Sequence, residues 1–307
     1  MELRHLRYFV AVAEEGSFLT AAQRRLHTSQ PSLSRQIRDL ELEVGAKLLE
    51  RQARGVLLTQ AGKVFLDHAR LALAQVDAAA EAARQADRPQ KRKFAMGFLA
   101  GQEVVWLPHA LPIIRQEAPE AEITLASMSS PDLAQELMRG RLDVAFLRAE
   151  TQSAGVTFRF LSREPLITVL RADHRLASCK KIRPEDLARE SFISSARTSP
   201  VLKSVVQDYA SKIGITLHAE YEAENLSSAM SLVASTGGVT LIPLYAQNML
   251  TPNVVARALD GEPPMIDLNL GYNQANPSPL LSRFLLRADE MVANVENQSI
   301  IRYAGAL

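Results

Sequence analysis

Residues 28–38 read TSQPSLSRQIR, a run whose residue types suit contact with nucleic acid. At 3.6 residues per helical turn, Leu33, Ile37 and Leu40 share one face. Pro31, Ser34, Arg35 and Arg38 fall opposite, where a solvated helix would ordinarily show a Glu/Lys mixture. Arginine can bind guanine with two hydrogen bonds and glutamine can do the same to adenine, each worth about 1–3 kcal/mol of discrimination. Thr28 and Ser29 can reach phosphates or bases, Gln30 an adenine, and the free amides of a helix start favour a phosphate. Pro31 near that start loses nothing, because first-turn amides have no intrahelical partner. The same row also fits a plain solvated face, so the surrounding elements must decide.

Those elements are short helices. LRHLRYFVAVAEEG repeats apolar residues with a helical period and ends at Gly16. SFLTAAQRRLH follows, with Ser17 placed to cap it and Ala21, Ala22 and Leu26 on one face. The helix carrying the polar row is the third, closed by Gly45, and its spacing from the second is that of a helix-turn-helix. Two apolar runs around RQARG then predict a small hairpin or wing, with Arg51 and Arg54 at a basic tip. From Thr59, a predicted N-cap, Val64, Phe65, Ala69, Ala72, Leu73, Val76, Ala80 and Ala83 form a stripe with no other local segment to cover it. Such a helix pairs with a second copy of itself. DRPQKRK, 87–93, breaks it and reads as the linker.

The remainder alternates strands and helices from FAMGFLA to VTLIP, which predicts parallel sheets covered on both faces and two small lobes. Ligands of such sheets bind where strands end and helices begin. Three places qualify: the amides near Gly101 and Gln102; Ser130, read as N-cap, with Pro131; and Thr198 and Ser199 before Pro200. Arg148, ending LDVAFLR, can supply a positive charge. Together they suit a carboxylate or phosphate, although Ser-Pro at a helix start is by itself an ordinary cap.

Composition narrows the classes. The 307 residues carry a net charge of +1, but residues 1–93 hold 16 Lys/Arg against 11 Asp/Glu and residues 94–307 hold 19 against 23. A basic front on an acidic remainder suits a polyanionic partner. The single cysteine, Cys179, excludes an intrachain disulfide and a cysteine-based zinc site, and the six histidines show no metal-binding spacing. There is no GxSxG elbow, Walker A loop or dinucleotide-binding glycine motif, no 20–50-residue repeat, and no apolar run that approaches a membrane span. No cofactor is expected, and the chain reads as soluble and cytoplasmic. His27 reads as a cap or phosphate contact, Trp106 as core or pocket wall.

Residues 1–62 resemble the N-terminal domain of LysR-type transcriptional regulators, through AVAEEGSFLTAA, LHTSQPSLSRQI, the spacing LE-x3-G-x2-L-x2-R and LT-x-AG in order. A weaker resemblance covers the rest, including GRLDVAFLR and GGVTLIP. It implies an α/β protein with a winged helix-turn-helix (1–59), a dimerising linker helix (60–90) and a two-lobed effector domain resembling periplasmic binding proteins (91–307). The first lobe would span about 91–162 plus 269–303 and the second about 163–268. It further implies a dimer of dimers, Thr28, Ser29, Gln30, Pro31, Ser34 and Arg35 as contacts of the recognition helix, and Arg54 as a wing contact. Ala100, Gly101, Ser129 and Ser130 match positions that hold an effector carboxylate, with Ala100-Gly101 standing where hydroxyl-bearing residues are common. The whole chain looks most like members controlling aromatic-acid breakdown.

The reading that follows is a ligand-responsive regulator, not an enzyme. Its expected partners are double-stranded DNA, a small organic acid (an aromatic carboxylate by the resemblance), further copies of the chain and RNA polymerase, with no membrane. The competing classes are a small-molecule binding protein whose helical front serves only dimerisation, and an enzyme on an α/β scaffold. The polar row on the third helix separates the first from the second, and the third lacks a nucleophile–base pair.

Overall fold

The computed structural model describes residues 1–52, 55–86, 93–150, 155–196 and 198–295. The predicted wing-tip residue Arg54, the linker residues 87–92 and the final stretch of the first lobe from 296 lie outside the described residues. The chain forms two compact units, Met1–Arg88 and Pro89–Leu307.

In the first unit, α1 (Leu3–Glu15) ends on Gly16 in the left-handed conformation. Ser17 caps α2 (Phe18–Thr20), its side chain accepting from the Thr20 amide. The second helix then departs from the regular helix expected: Ala21–Arg25 widens to π-helical bonding, with the Leu26 N–H donating to the Ala21 carbonyl at 3.0 Å. His27 turns the chain at φ +47° into α3 (Gln30–Val44). β1 (Leu49–Gln52) and β2 (Gly55–Leu58) form the antiparallel wing. Thr59 starts α4 (Gln60–Ala86), its hydroxyl accepting from the Gly62 amide at 2.8 Å. Gly62 is needed there because a Cβ would lie 2.0 Å from the Leu48 carbonyl oxygen.

Leu6, Phe9, Ala21, Leu33, Ile37 and Leu40 share one core with Leu66 and Ala69 of α4. This corrects the view that nothing local covers the α4 stripe. α1 packs on its first half, where Phe9 meets Phe65 edge-on at 5.2 Å between ring centres. Leu66 takes the buried position, while Val64 and Val76 stay exposed.

The second unit runs β3 (Lys93–Leu99), α5 (Glu103–Glu117), β4 (Glu122–Met128), α6 (Ser130–Met138) and β5 (Val144–Leu147), then the long β6 (Val156–Arg171). Next come β7 (Lys181–Ile182), α7 (Pro184–Leu187), β8 (Ser191–Ser195), α8 (Pro200–Lys212), β9 (His218–Ala223), α9 (Leu226–Thr236) and β10 (Thr240–Pro243). β11 (Val254–Leu259), β12 (Met265–Asn273) and α10 (Pro279–Leu286) complete it. The main sheet has the order β4-β3-β5-β12-β6-β11-β7, with β10 also on β6, and β8 pairs with β9.

The sheets are mixed, which corrects the all-parallel expectation. β3 pairs in parallel with β4 and β5, and β8 with β9, but β12, β11 and β10 all run antiparallel to β6. β6 and β12 pass through both lobes, so each lobe receives strands from two directions. Phe94, Phe98, Trp106, Phe146 and Phe284 fill the first lobe's core, and Phe146 stacks on Phe98 at 4.6 Å. Leu166, Leu170, Phe192, Val206 and Leu241 fill the second.

Candidate nucleic-acid interface and effector cavity

Helix α3 starts at Ser29, whose Oγ accepts from the Ser32 amide at 3.4 Å. Ser29, Gln30, Pro31, Arg35 and Arg38 are exposed and Thr28 is half-buried. Ser34 departs from the predicted face, being only 8 % exposed. At about 100° per residue it sits one step round from Leu33, on the same flank as the buried Glu41, and not opposite the core.

Glu41 explains how the wing is fixed to this helix. Its Oε1 accepts from the amides of Leu48 (2.8 Å) and Leu49 (3.1 Å), and its Oε2 accepts from Lys47 Nζ (2.9 Å). Burial pushes the carboxyl pKa up, but these hydrogen bonds outweigh burial and hold it below the ordinary range. The strand entering the wing is thereby tied to the helix that carries Arg35 and Arg38.

In the second unit, α6, α8 and α9 all begin at the rim of one cavity of about 480 Å³ between the lobes. Ala100, Ser129, Ser130, Arg148, Thr198 and Ser199 all line it. Gly101 and Gln102 do not. The Gly101 amide donates to Glu103 Oε2 (2.9 Å), and the buried Gln102 side chain accepts from Trp106 Nε1 (3.1 Å). Neither amide is open to a ligand as expected: Glu103, the first residue of α5, takes the Gly101 N–H, and the Leu99 carbonyl accepts that of Gln102 at 2.9 Å.

The cap of α6 also differs from the reading. Ser129, not Ser130, is the N-cap; its Oγ accepts from the Asp132 amide at 3.3 Å. Ser130 is buried and accepts from the Arg148 amide at 3.1 Å, joining α6 to the end of β5. Thr198 Oγ1 donates to the Glu224 carbonyl at 2.9 Å, and Ser199 caps α8 without a side-chain bond.

Arg148 is 4 % exposed. Its Nη1 donates to the Asp267 carbonyl at 2.7 Å and its Nη2 lies 3.8 Å from Glu164, with no hydrogen-bond partner for Nη2 among the described residues. Burial lowers its pKa, with Tyr245 and the acids Glu164, Glu150 and Asp267 pulling it back. Glu164 is raised by burial, opposed by Arg148 and by the Tyr245 amide. Glu150, also lining the cavity, is pushed up to about 7 by burial, against the pull of Arg148 and a hydrogen bond from the Val201 amide.

Sequence reasoning missed Glu150, Asn225 and Tyr245. Asn225 was findable: it caps α9 reciprocally with Ser228, a spacing visible in the sequence as Asn-x-x-Ser. Glu150 and Tyr245 carry no local signal, because their partners lie on distant segments.

Two family profiles match: the bacterial regulatory helix-turn-helix protein of the lysR family over residues 3–63, and the LysR substrate binding domain over 87–292. The chain belongs to the LysR family, and it is a DNA-binding transcriptional regulator with an effector-binding domain. It is 39% identical to the Hca operon transcriptional activator HcaR of Escherichia coli (strain K12), over 96% of this chain and 99% of that protein. Among solved structures, full-length BenM aligns with a TM-score of 0.56 at 29% identity, covering 99% of this chain and 98% of that one. Full-length CbnR in complex with its target DNA aligns with a TM-score of 0.56 at 25% identity, covering 95% and 100%. Among the described residues no helix is long and apolar enough to cross a membrane.

Proposed function

We propose that α3 lies in the major groove of a promoter and that a small carboxylate held between the lobes changes how that helix is presented. The observation that carries this is the exposed Gln30–Arg35–Arg38 row, backed by a fully buried Leu33–Ile37–Leu40 face and tied to the wing through Glu41. Thr28, Ser29 and Pro31 supply the helix start, Arg54 a wing contact, and Ser34 a structural place beneath the row. The proposed division is 1–59 for DNA binding, 60–90 for dimerisation through α4, and 91–307 for the effector.

The effector is an organic acid with an apolar, aromatic-sized body, bound near Ala100, Ser129, Ser130, Arg148, Thr198 and Ser199. Three helix starts and one buried arginine favour a negative group there. The assembly is a dimer of dimers in the cytoplasm, acting with RNA polymerase. A ligand shifts such an assembly only by binding its two arrangements unequally.

The test is a duplex selected from a random pool by the full-length protein, compared with a scrambled duplex at fixed salt. Arg35→Ala loses about 1–3 kcal/mol on the selected duplex and little on the scrambled one. Equal losses on both would remove Arg35 from base reading.

A further inference from the structure

The two walls of the cavity between the lobes differ in what their polar groups are already doing. On the first-lobe side, Ser129 and Ser130 serve the fold. Ser129 Oγ accepts from the Asp132 amide and donates to Asp132 Oδ2 at 2.6 Å, and Ser130 Oγ accepts from the Arg148 amide. The group left for a ligand beside them is a charge. Arg148 is buried and lines the cavity, and its Nη2 has no hydrogen-bond partner among the described residues.

On the second-lobe side the polar groups are idle. Ser195 ends β8, Ser199 precedes α8 and Ser227 stands in the first turn of α9. All three line the cavity, and none of their hydroxyls makes a hydrogen bond among the described residues. Asn225 Oδ1 accepts from the Ser228 amide at 2.9 Å, which leaves its Nδ2 group, a donor, unused. Thr198 Oγ1 spends its proton on the Glu224 carbonyl and keeps lone pairs to offer. This row thus presents donors and acceptors together. A carboxylate only accepts and an ammonium only donates, whereas a hydroxyl does both. Between the two ends the walls include Leu202, Leu226 and Ile242.

We propose that the effector is a hydroxy acid. Its carboxylate meets Arg148 and the start of α6 in the first lobe, and its aromatic-sized body lies against Leu202, Leu226 and Ile242. Hydroxyl groups at its far end meet Ser195, Ser199, Asn225 and Ser227 in the second lobe. The inference rests on the reading that the cavity binds a small organic acid. A ligand that displaces water from the second-lobe row and carries a methyl there strands these polar groups, and one that carries hydroxyls there replaces the lost bonds. A site built to bond a hydroxyl rejects the analogue lacking it far more strongly than an apolar pocket rejects a change of one methylene. Because the two ends of such a ligand fall on different lobes, it ties them together and so binds their two arrangements unequally.

The experiment is isothermal titration of the full-length protein with two pairs that exchange only hydroxyl for methyl. They are 3,4-dihydroxybenzoate against 3,4-dimethylbenzoate, and 3,4-dihydroxyphenylacetate against 3,4-dimethylphenylacetate. Wild type binds the dihydroxy acid of at least one pair roughly tenfold or more tightly than its dimethyl partner. Ser195→Ala and Ser227→Ala, tested separately so that one unstable variant does not end the test, each shrink that ratio roughly three- to tenfold. They do so by weakening the dihydroxy acid and leave the dimethyl acid bound at least as well. A ratio near one or reversed in both pairs overturns the hydroxy-acid inference and leaves the acid-binding cavity standing. A preference for the dihydroxy acid that survives both substitutions overturns the assignment to the second-lobe row. Failure of all four acids to bind wild type overturns the acid-binding reading itself, and the inference falls with it.

Discussion

The Tyr245 hydroxyl donates to the Ala100 carbonyl at 2.8 Å and joins the turn after β10 in one lobe to the end of β3 in the other. The same residue's amide donates to Glu164 Oε2 at 2.8 Å, so its backbone and ring are both anchored. Gly101 lets the two lobes approach this closely. At φ +90°, a Cβ there would lie 2.4 Å from Met249 Sδ and 2.9 Å from the Tyr245 ring. Ala100-Gly101 thus contributes a carbonyl and an absence of bulk.

Tyr245→Phe keeps the ring and removes the bond. The loss should be about 0.5–1.5 kcal/mol, with the Ala100 carbonyl left to find another donor. The measurements are the melting temperature of the full-length protein and the midpoint of its effector response, and both should move. A shift in melting alone would mean that the clamp supports the fold without setting how the lobes close.

Glu41→Gln tests the tie between wing and recognition helix. A neutral side chain still accepts hydrogen bonds but loses the charge that strengthens them, at a cost of about 1–3 kcal/mol. The wild-type carboxyl is held below its ordinary pKa. Its contribution is therefore present above the ordinary carboxylate range and disappears as pH falls through the lowered value. Thermal melts should separate wild type from Glu41→Gln at pH 7 and draw the two together as the pH falls below the ordinary carboxylate range. A gap that persists in acid would assign the effect to packing.

Glu150 has the opposite sign. With a folded pKa of about 7 against an ordinary 4.5, the native state holds this proton more tightly than the unfolded chain does. The group costs nothing below about pH 4.5, costs progressively more up to about pH 7, and its penalty is constant above that. Glu150→Gln should therefore melt roughly a few degrees higher than wild type at pH 8 and equally at pH 4.5. A variant less stable at pH 8 would show that attraction to Arg148 outweighs burial.

The DNA-binding half was legible because its signals are local. The caps at Ser17 and Thr59, the stops at Gly16 and Gly45 and the Leu33–Ile37–Leu40 stripe depend on neighbours a few residues away. Ser34 was misplaced by a coarse division of the helix into two faces, whereas the wheel has flanks. The widened turn at Ala21–Arg25 has no pattern of its own in the sequence, and it sets Ala21 and Ala22 in the core.

The effector half was legible in outline only. Strand order depends on pairings far apart in sequence, and β11 and β12 return antiparallel across β6, which nothing in an alternation of strands and helices announces. The same distance hid Glu150 and Tyr245, whose partners Val201 and Ala100 lie on other segments.

β6 has a further consequence through its sixteen residues from Val156 to Arg171. Both halves of the sensor are threaded on that one ribbon and on β12 beside it. Cutting the gene between them would sever a shared spine, so the pair should melt in a single cooperative step.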